Sequence, residues 1–144
     1  MIDRPAIVAA ALALIGTPFQ HQAAVPGVGC DCVGVLVCVA RACKLAGADV
    51  FATTQFRGYA MTPDPSKLLA ACERYLDPLV IGEAQPGDVL VMRVAGEPRH
   101  FGILTARGPR MMVHSYVRGR GVREVRVDPY WGGLVMRAYA FRAA

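Results

Sequence analysis

The sequence predicts an α+β domain, with helices in the first half and an antiparallel sheet in the second. Two observations carry this. Up to about residue 76 the apolar residues fall at helical spacing or in unbroken runs. From Val89 onward they fall in short β segments separated by Gly, Pro and Arg turns. Elements of one kind followed by elements of the other pack as α+β, not as alternating βαβ units. A chain of 144 residues suits one domain spanning 1–144, long enough to bury a real core. No internal repeat or low-complexity stretch divides it.

Residues 5–15 read as the first helix, with Pro5 in its first turn. The apolar run Ile7–Ile15 behind Arg4 has the outline of a signal peptide. Asp3 sits in the would-be basic region, however, no small-x-small cleavage site follows, and the run flows into a Gly16-Thr17-Pro18 stop. It is therefore assigned to the domain. Residues 16–31 form a Gly/Pro-punctuated loop. A second helix spans about 32–46, with Asp31 as N-cap and Gly47 as the C′ residue. Val33, Val35, Leu36, Val37, Val39, Ala40 and Leu45 make it apolar nearly all round, which marks a central, buried helix. Arg41 and Lys44 lie near its C-terminal end, where the dipole favours cations. Residues 48–63 read as irregular. Asp64-Pro65 opens a third, amphipathic helix with Leu68, Leu69, Cys72, Tyr75 and Leu76 on its apolar face.

After a Gln85-Pro86-Gly87-Asp88 turn, strands are expected over Val89–Val94, His100–Thr105, Met111–Val117, Val122–Val127 and Leu134–Phe141. Tyr130, Trp131 and Tyr139 are assigned to the core or a groove wall, the core first.

Composition narrows the function classes. Hydrophobic residues at 54% and charged residues at 19% exclude a disordered chain. No run reaches the roughly 18–20 apolar residues that span a bilayer. The five cysteines are odd in number and show no disulfide framework, which points to folding in a reducing compartment. Cys38 and Cys43 read as small core residues. A net charge of +5 suits an anionic partner without choosing one. Arg118, Arg120, Arg123 and Arg126 cluster around one expected hairpin, as a solvated face or an anion contact. No recognition motif accompanies them, so nucleic-acid binding is not expected.

Cys32 stands out among the cysteines. It follows an N-cap Asp31, so it occupies the first turn of the buried helix, where free N–H groups and the dipole favour a thiolate. Its own N–H can help hold an oxyanion. His100 and His114 each lie seven residues from Arg107. A hairpin with an Ala106-Arg107-Gly108 loop, Gly108 left-handed, would set them opposite each other on one face, as a base and its orienting partner. A slip of one residue would put them on opposite faces.

In chain order, Gly16-Thr17-Pro18-Phe19, Gly29-Cys30-Asp31-Cys32-Val33-Gly34, Gln85-Pro86-Gly87-Asp88-Val89, His100-Phe101-Gly102-Ile103 and Val113-His114 resemble the NlpC-type cell-wall peptidases. The likeness is nearest to the subgroup found among phage-tail and gene-transfer-agent genes. It implies a papain-like fold, a helix bearing the nucleophile packed on a C-terminal antiparallel sheet, and hydrolysis of peptidoglycan stem peptides, commonly between D-glutamate and a diamino acid. Carried over by residue, Cys32 matches the nucleophile, His100 the base and His114 the third, orienting residue. Asp31 matches an acidic position suited to a substrate amine. No cofactor or metal is implied. The subgroup further implies synthesis in the cytoplasm, incorporation among tail-tip or hub proteins, and action in the periplasm during DNA delivery.

Two departures bear on the site. Where many members carry Tyr in the first motif this chain has Phe19, so Gln20, His21 or Gln22 is left to supply an oxyanion donor. Val33 replaces a common Ser. Two other readings stay open: a non-catalytic tail-tip component, and a zinc site built from Cys30, Cys32, His100 and His114.

Overall fold

The computed structural model describes residues 2–49, 64–118 and 120–144. The irregular stretch expected over 48–63 lies, from residue 50 on, outside the described residues. Three helices, α1 (Arg4–Leu12), α2 (Cys32–Cys43) and α3 (Pro65–Tyr75), precede most of the sheet. A two-stranded ribbon, β1 (Ala24–Val25) with β2 (Gly29–Cys30), leads into α2. The main sheet holds β3 (Leu76–Leu79), β4 (Val89–Val94), β5 (Glu97–Arg107), β6 (Arg110–Tyr116), β7 (Gly121–Arg126) and β8 (Val135–Phe141). Its order is β3-β8-β4-β5-β6-β7, antiparallel throughout. The α+β class expected from the sequence is the class observed.

Each helix starts on the residue after a capping Asp, and the first begins at Arg4, one residue before the expected 5. Asp3, Asp31 and Asp64 accept from the N–H groups of Ala6, Gly34 and Ser66. The ends differ from expectation. The first helix stops at Leu12, not 15, because Leu14 and Ile15 donate three residues back, to Ala11 and Leu12, and Gly16 turns to φ +94° and donates to Val122. The second stops at Cys43, not 46. Lys44 takes the left-handed conformation that ends the helix, three residues before Gly47, which is itself at φ +95°, and Leu45 closes the end by donating to the Ala40 carbonyl. The strand β3 was not expected. It carries Pro78, and its position at the sheet edge explains why a proline fits there. Leu76, placed on the third helix by its spacing, begins this strand instead.

The sheet separates two apolar clusters. On one face Val89, Val91, Phe101, Ile103, Val113 and Tyr139 join Ile7, Ala11, Val35, Val39, Leu68 and Cys72 of the helices. On the other, Leu90, Met92, Leu104, Met112 and Ala138 pack with Trp131 and Val135. The helix α2 lies between α1 and β5, as its all-round apolar surface requires.

The β5–β6 hairpin departs from the expected register. Arg107 pairs with Arg110 across a two-residue Gly108-Pro109 tip, and Gly108 is not left-handed. Between Leu104 and Ala106 the register shifts, so Thr105 is an extra residue on β5. Below it Leu104 faces Met112 and Ile103 faces Val113. Leu104 would face residue 110 if the expected hairpin held. The offset is two residues, an even number, so His100 and His114 still share a face. Without the bulge the tip register would run on and place them on opposite faces.

Candidate active site

Five stretches of chain converge on a cavity of about 200 Å³. Its walls include Phe19 and His21 from the first loop, Asp31 and Cys32 from the start of α2, Val94 from the end of β4, Arg99 and His100 from β5, and Tyr116 and Val117 at and just after the end of β6. The motif stretches explain how these walls are held. Thr17 is buried, its hydroxyl accepts from the Gly27 N–H at 2.9 Å, and its carbonyl accepts from Val122. The Pro18 carbonyl accepts from Cys30 at 2.9 Å. The Ser115 hydroxyl donates to the Cys30 carbonyl at 2.7 Å, tying β6 to the residue before the N-cap. At the far end of the motif set, Asp88 is fully buried, accepts from Gln85 N–H and is ion-paired with Arg4, so α1 and β4 are fastened together.

Asp31 is 4% exposed and does two jobs. Its Oδ1 accepts from Gly34 N–H at 2.7 Å, capping α2, and its Oδ2 accepts from Gln22 N–H at 2.8 Å. Loop 20–22 is thereby pinned to the helix that carries Cys32. Gly34 has no alternative at its position, since a Cβ there would sit 2.0 Å from the Ala23 carbonyl oxygen. Of the three residues expected to supply a donor in place of the missing Tyr hydroxyl, the cavity receives His21. Gln20 is exposed with its side chain lying over Gly29, and Gln22 is held in a left-handed conformation by its bond to Asp31.

The Cys32 thiol donates to the Arg99 carbonyl at 3.8 Å. Its pKa is pushed up to about 12, by burial first and the Asp31 charge second; backbone N–H groups of Phe101, Val33 and Cys32 itself pull the other way without prevailing. This corrects the expectation that the helix mouth alone favours a thiolate: desolvation outweighs the dipole in the free protein.

His100 and His114 are each 4% exposed. His100 Nε2 lies 2.7 Å from His114 Nδ1. Burial, with the neighbouring His114 adding to it, lowers the His100 pKa to about 3, and burial lowers that of His114 to about 4. Both rings are therefore neutral at ordinary pH, and one proton is shared along the bond. If His100 carries it on Nε2, its Nδ1 is a free acceptor. Trp131 stacks on His100 with centroids 4.9 Å apart, and Tyr116 stacks on His114 at 5.9 Å. These aromatics fix both ring planes.

Sequence reasoning missed Tyr116, although it sits two residues after His114 and so shares its face. Trp131 was foreseen as core or groove wall; it packs against His100. Tyr139 is core, with its hydroxyl donating to Glu73 at 2.9 Å, and Tyr130 is 68% exposed. The zinc set is not assembled. Cys30 turns into the core, its sulfur 3.9 Å from that of Cys38, while Cys32 faces the cavity. Among the described residues no group of three or more His, Cys, Asp or Glu is placed to hold a metal ion. No helix among them is long and apolar enough to cross a membrane.

The architecture is the NlpC/P60 form of the papain-like fold. The NlpC/p60 domain of the peptidoglycan hydrolase SagA superposes with a TM-score of 0.64 at 23% identity, covering 96% of this chain and 99% of that domain. An NlpC/P60 family protein from Bacillus cereus gives a TM-score of 0.67 at 16% identity, covering 94% of this chain and 39% of that one. By sequence, the chain is 35% identical over 126 residues to proteins of Mycobacterium tuberculosis and Mycobacterium bovis, each described as a "Probable endopeptidase". The match covers 88% of this chain but 27% of those proteins, so it spans about a quarter of their length. No family model matches the chain.

Proposed function

We propose that this chain is a cysteine endopeptidase that hydrolyses peptidoglycan stem peptides, with Cys32 as nucleophile, His100 as general base and His114 as its orienting partner. The observation that carries this reading is the convergence of Cys32 and His100 on one cavity, with His114 bonded to the far nitrogen of His100 at 2.7 Å. The likeness to the SagA domain and to the mycobacterial proteins supports the substrate class.

The free protein holds a neutral thiol and a neutral imidazole, so proton transfer accompanies attack. The Cys32 thiol leaves the Arg99 carbonyl and passes its proton to His100 Nδ1 as sulfur bonds to the scissile carbonyl carbon. The new imidazolium donates through Nε2–H to His114 Nδ1. The oxyanion is held by the Cys32 N–H and a donor from loop 20–22, for which His21 is the placed candidate. His100 then protonates the leaving amine as the C–N bond breaks. Water, deprotonated by His100, cleaves the thioester and restores the thiol. Asp31 brings a negative charge to the cavity beside Cys32, suited to a substrate ammonium. A bond between D-glutamate and a diamino acid is the substrate proposed from the motif set. The same motifs support a tail-borne enzyme made in the cytoplasm and delivered to the periplasm to open the wall for DNA entry.

The test is digestion of purified peptidoglycan by the wild-type chain and by Cys32→Ser, with the products read by mass spectrometry. New free amino termini within stems, absent with Cys32→Ser, are expected. Activity that survives in Cys32→Ser overturns the nucleophile. Inactivity of the wild-type chain removes the enzyme reading and leaves a structural tail component.

A further inference from the structure

A second recess of about 210 Å³ is lined by chain neighbours of the cavity residues, and its lining includes Gly16, Thr17, Val122 and two arginines, Arg120 and Arg123. We propose that it is an anion subsite that receives a stem-peptide carboxylate of peptidoglycan away from the scissile bond. This rests on the peptidoglycan reading above.

Three observations converge on it. First, the recess is built from braced backbone. Gly16 N–H donates to the Val122 carbonyl at 3.0 Å, Val122 N–H donates to the Thr17 carbonyl at 2.9 Å, and Pro18 bridges to Gly121. The contact is close enough that a Cβ on Gly121, at φ +132°, would lie 2.2 Å from the Thr17 oxygen. Second, Arg120 is held at φ +63°, a left-handed conformation that a long side chain rarely adopts. Its N–H donates to the Val117 carbonyl at 3.1 Å, closing the β6–β7 turn in that form. The turn thus fixes the backbone of an arginine that lines the recess. Third, the same two chain segments line the recess and the cavity. Val117 and Arg120 belong to one turn, the first lining the cavity and the second the recess. On either side of Pro18, Phe19 lines the cavity and Thr17 the recess.

A polymer engaged at Cys32 therefore passes the arginines within a few residues. Stem peptides carry carboxylates along their length, and guanidinium groups bind carboxylates in paired, directional hydrogen bonds. The expected exposed charge on an edge strand is satisfied by scattered residues. Two cations lining one braced recess near the cavity go beyond that.

The experiment compares wild type, Arg120→Gln/Arg123→Gln and Arg126→Gln, which alters an exposed arginine of the same strand outside the recess. Two quantities are read: co-sedimentation with intact sacculi, stripped of phosphodiester-linked polymers or unstripped, and hydrolysis of a short soluble stem peptide. The double variant should lose sedimentation by about tenfold on stripped sacculi at low salt, with the gap closing near about 0.5 M salt. Its turnover of the short peptide should stay at the wild-type value, and Arg126→Gln should behave as wild type. Unchanged sedimentation of the double variant, or an equal loss in Arg126→Gln, overturns the subsite. A loss confined to unstripped sacculi overturns the carboxylate in favour of a wall phosphate. Wild-type protein that binds sacculi through the arginines yet cuts nothing removes the enzyme reading alone; wild-type protein that neither binds nor cuts removes both.

Discussion

Asp31→Ala should destabilise the protein and acidify the Cys32 thiol at the same time. The carboxylate is buried and accepts two backbone N–H groups, from Gly34 and Gln22. Loss of an N-cap costs about 0.5–2 kcal/mol, and loss of a charge-assisted bond to the second amide about 1.5–3 kcal/mol. Together these give about 3 kcal/mol, a large share of a typical folding free energy of about 5–15 kcal/mol. For a chain of 144 residues the unfolding entropy is about 0.3 kcal/mol per degree, so the melting temperature should fall by about 10 °C. In the other direction, the Asp31 charge is one of the causes that raise the Cys32 pKa, so its removal should lower that pKa. Thermal unfolding followed by circular dichroism reads the first effect. Alkylation of Cys32 as a function of pH, mapped by peptide mass spectrometry, reads the second. A melting temperature within a degree or two of wild type would refute the double-acceptor argument. A Cys32 profile displaced to higher pH would refute the electrostatic one.

The remaining predictions concern the histidines. Both are neutral in the fold with pKa values lowered from 6.5, so the unfolded chain binds more protons below that value. Stability should then be fully present above pH 6.5 and fall as pH drops toward about 4 for His114 and about 3 for His100, by up to about 1.4 kcal/mol per pH unit for each histidine. Urea midpoints at pH 7 and pH 5 measure this, and an equal loss in His114→Gln would assign the effect elsewhere. In turnover, His114→Ala should keep more activity than His100→Ala, and His114→Asn should recover part of the loss; complete loss in all three would rule out a merely orienting role. His21→Ala should lower kcat by about tenfold or more with KM little changed, and Phe19→Tyr in that background should recover part of it. A change in KM alone would place His21 in substrate binding instead.

Local chemistry made much of this legible. The caps Asp3, Asp31 and Asp64 act through neighbours two or three residues away, so helix starts were within reach of the sequence. Helix ends were less so, because Gly16 leaves the helix for a distant partner, Val122, and Lys44 takes a conformation that its residue type does not announce. The short edge strand with Pro78 is stabilised by its pairing with β8, which no local pattern reveals. At the site, the hairpin expected from the sequence is two residues out of register, and His100 and His114 share a face because that offset is even. The raised Cys32 pKa was hidden for a different reason: a helix mouth can be read from caps, but desolvation depends on what other chain segments bring over the thiol.

The extra residue at Thr105 makes the two ends of the β5–β6 hairpin keep separate counts. The root, where Leu104 faces Met112, is locked by the core, while the tip beyond Thr105 counts one residue differently. Small insertions at Gly108-Pro109 can be absorbed outboard without touching the histidines. Deletion of Thr105 cannot. If the Arg107–Arg110 pair is kept, His114 is rotated into the helix-facing core, where an imidazole has no partner. If the histidines are kept, the tip must unpair. The hairpin tip is thus open to length variation and to grafted sequence, and one solvent-side residue serves as the clutch between that freedom and the site.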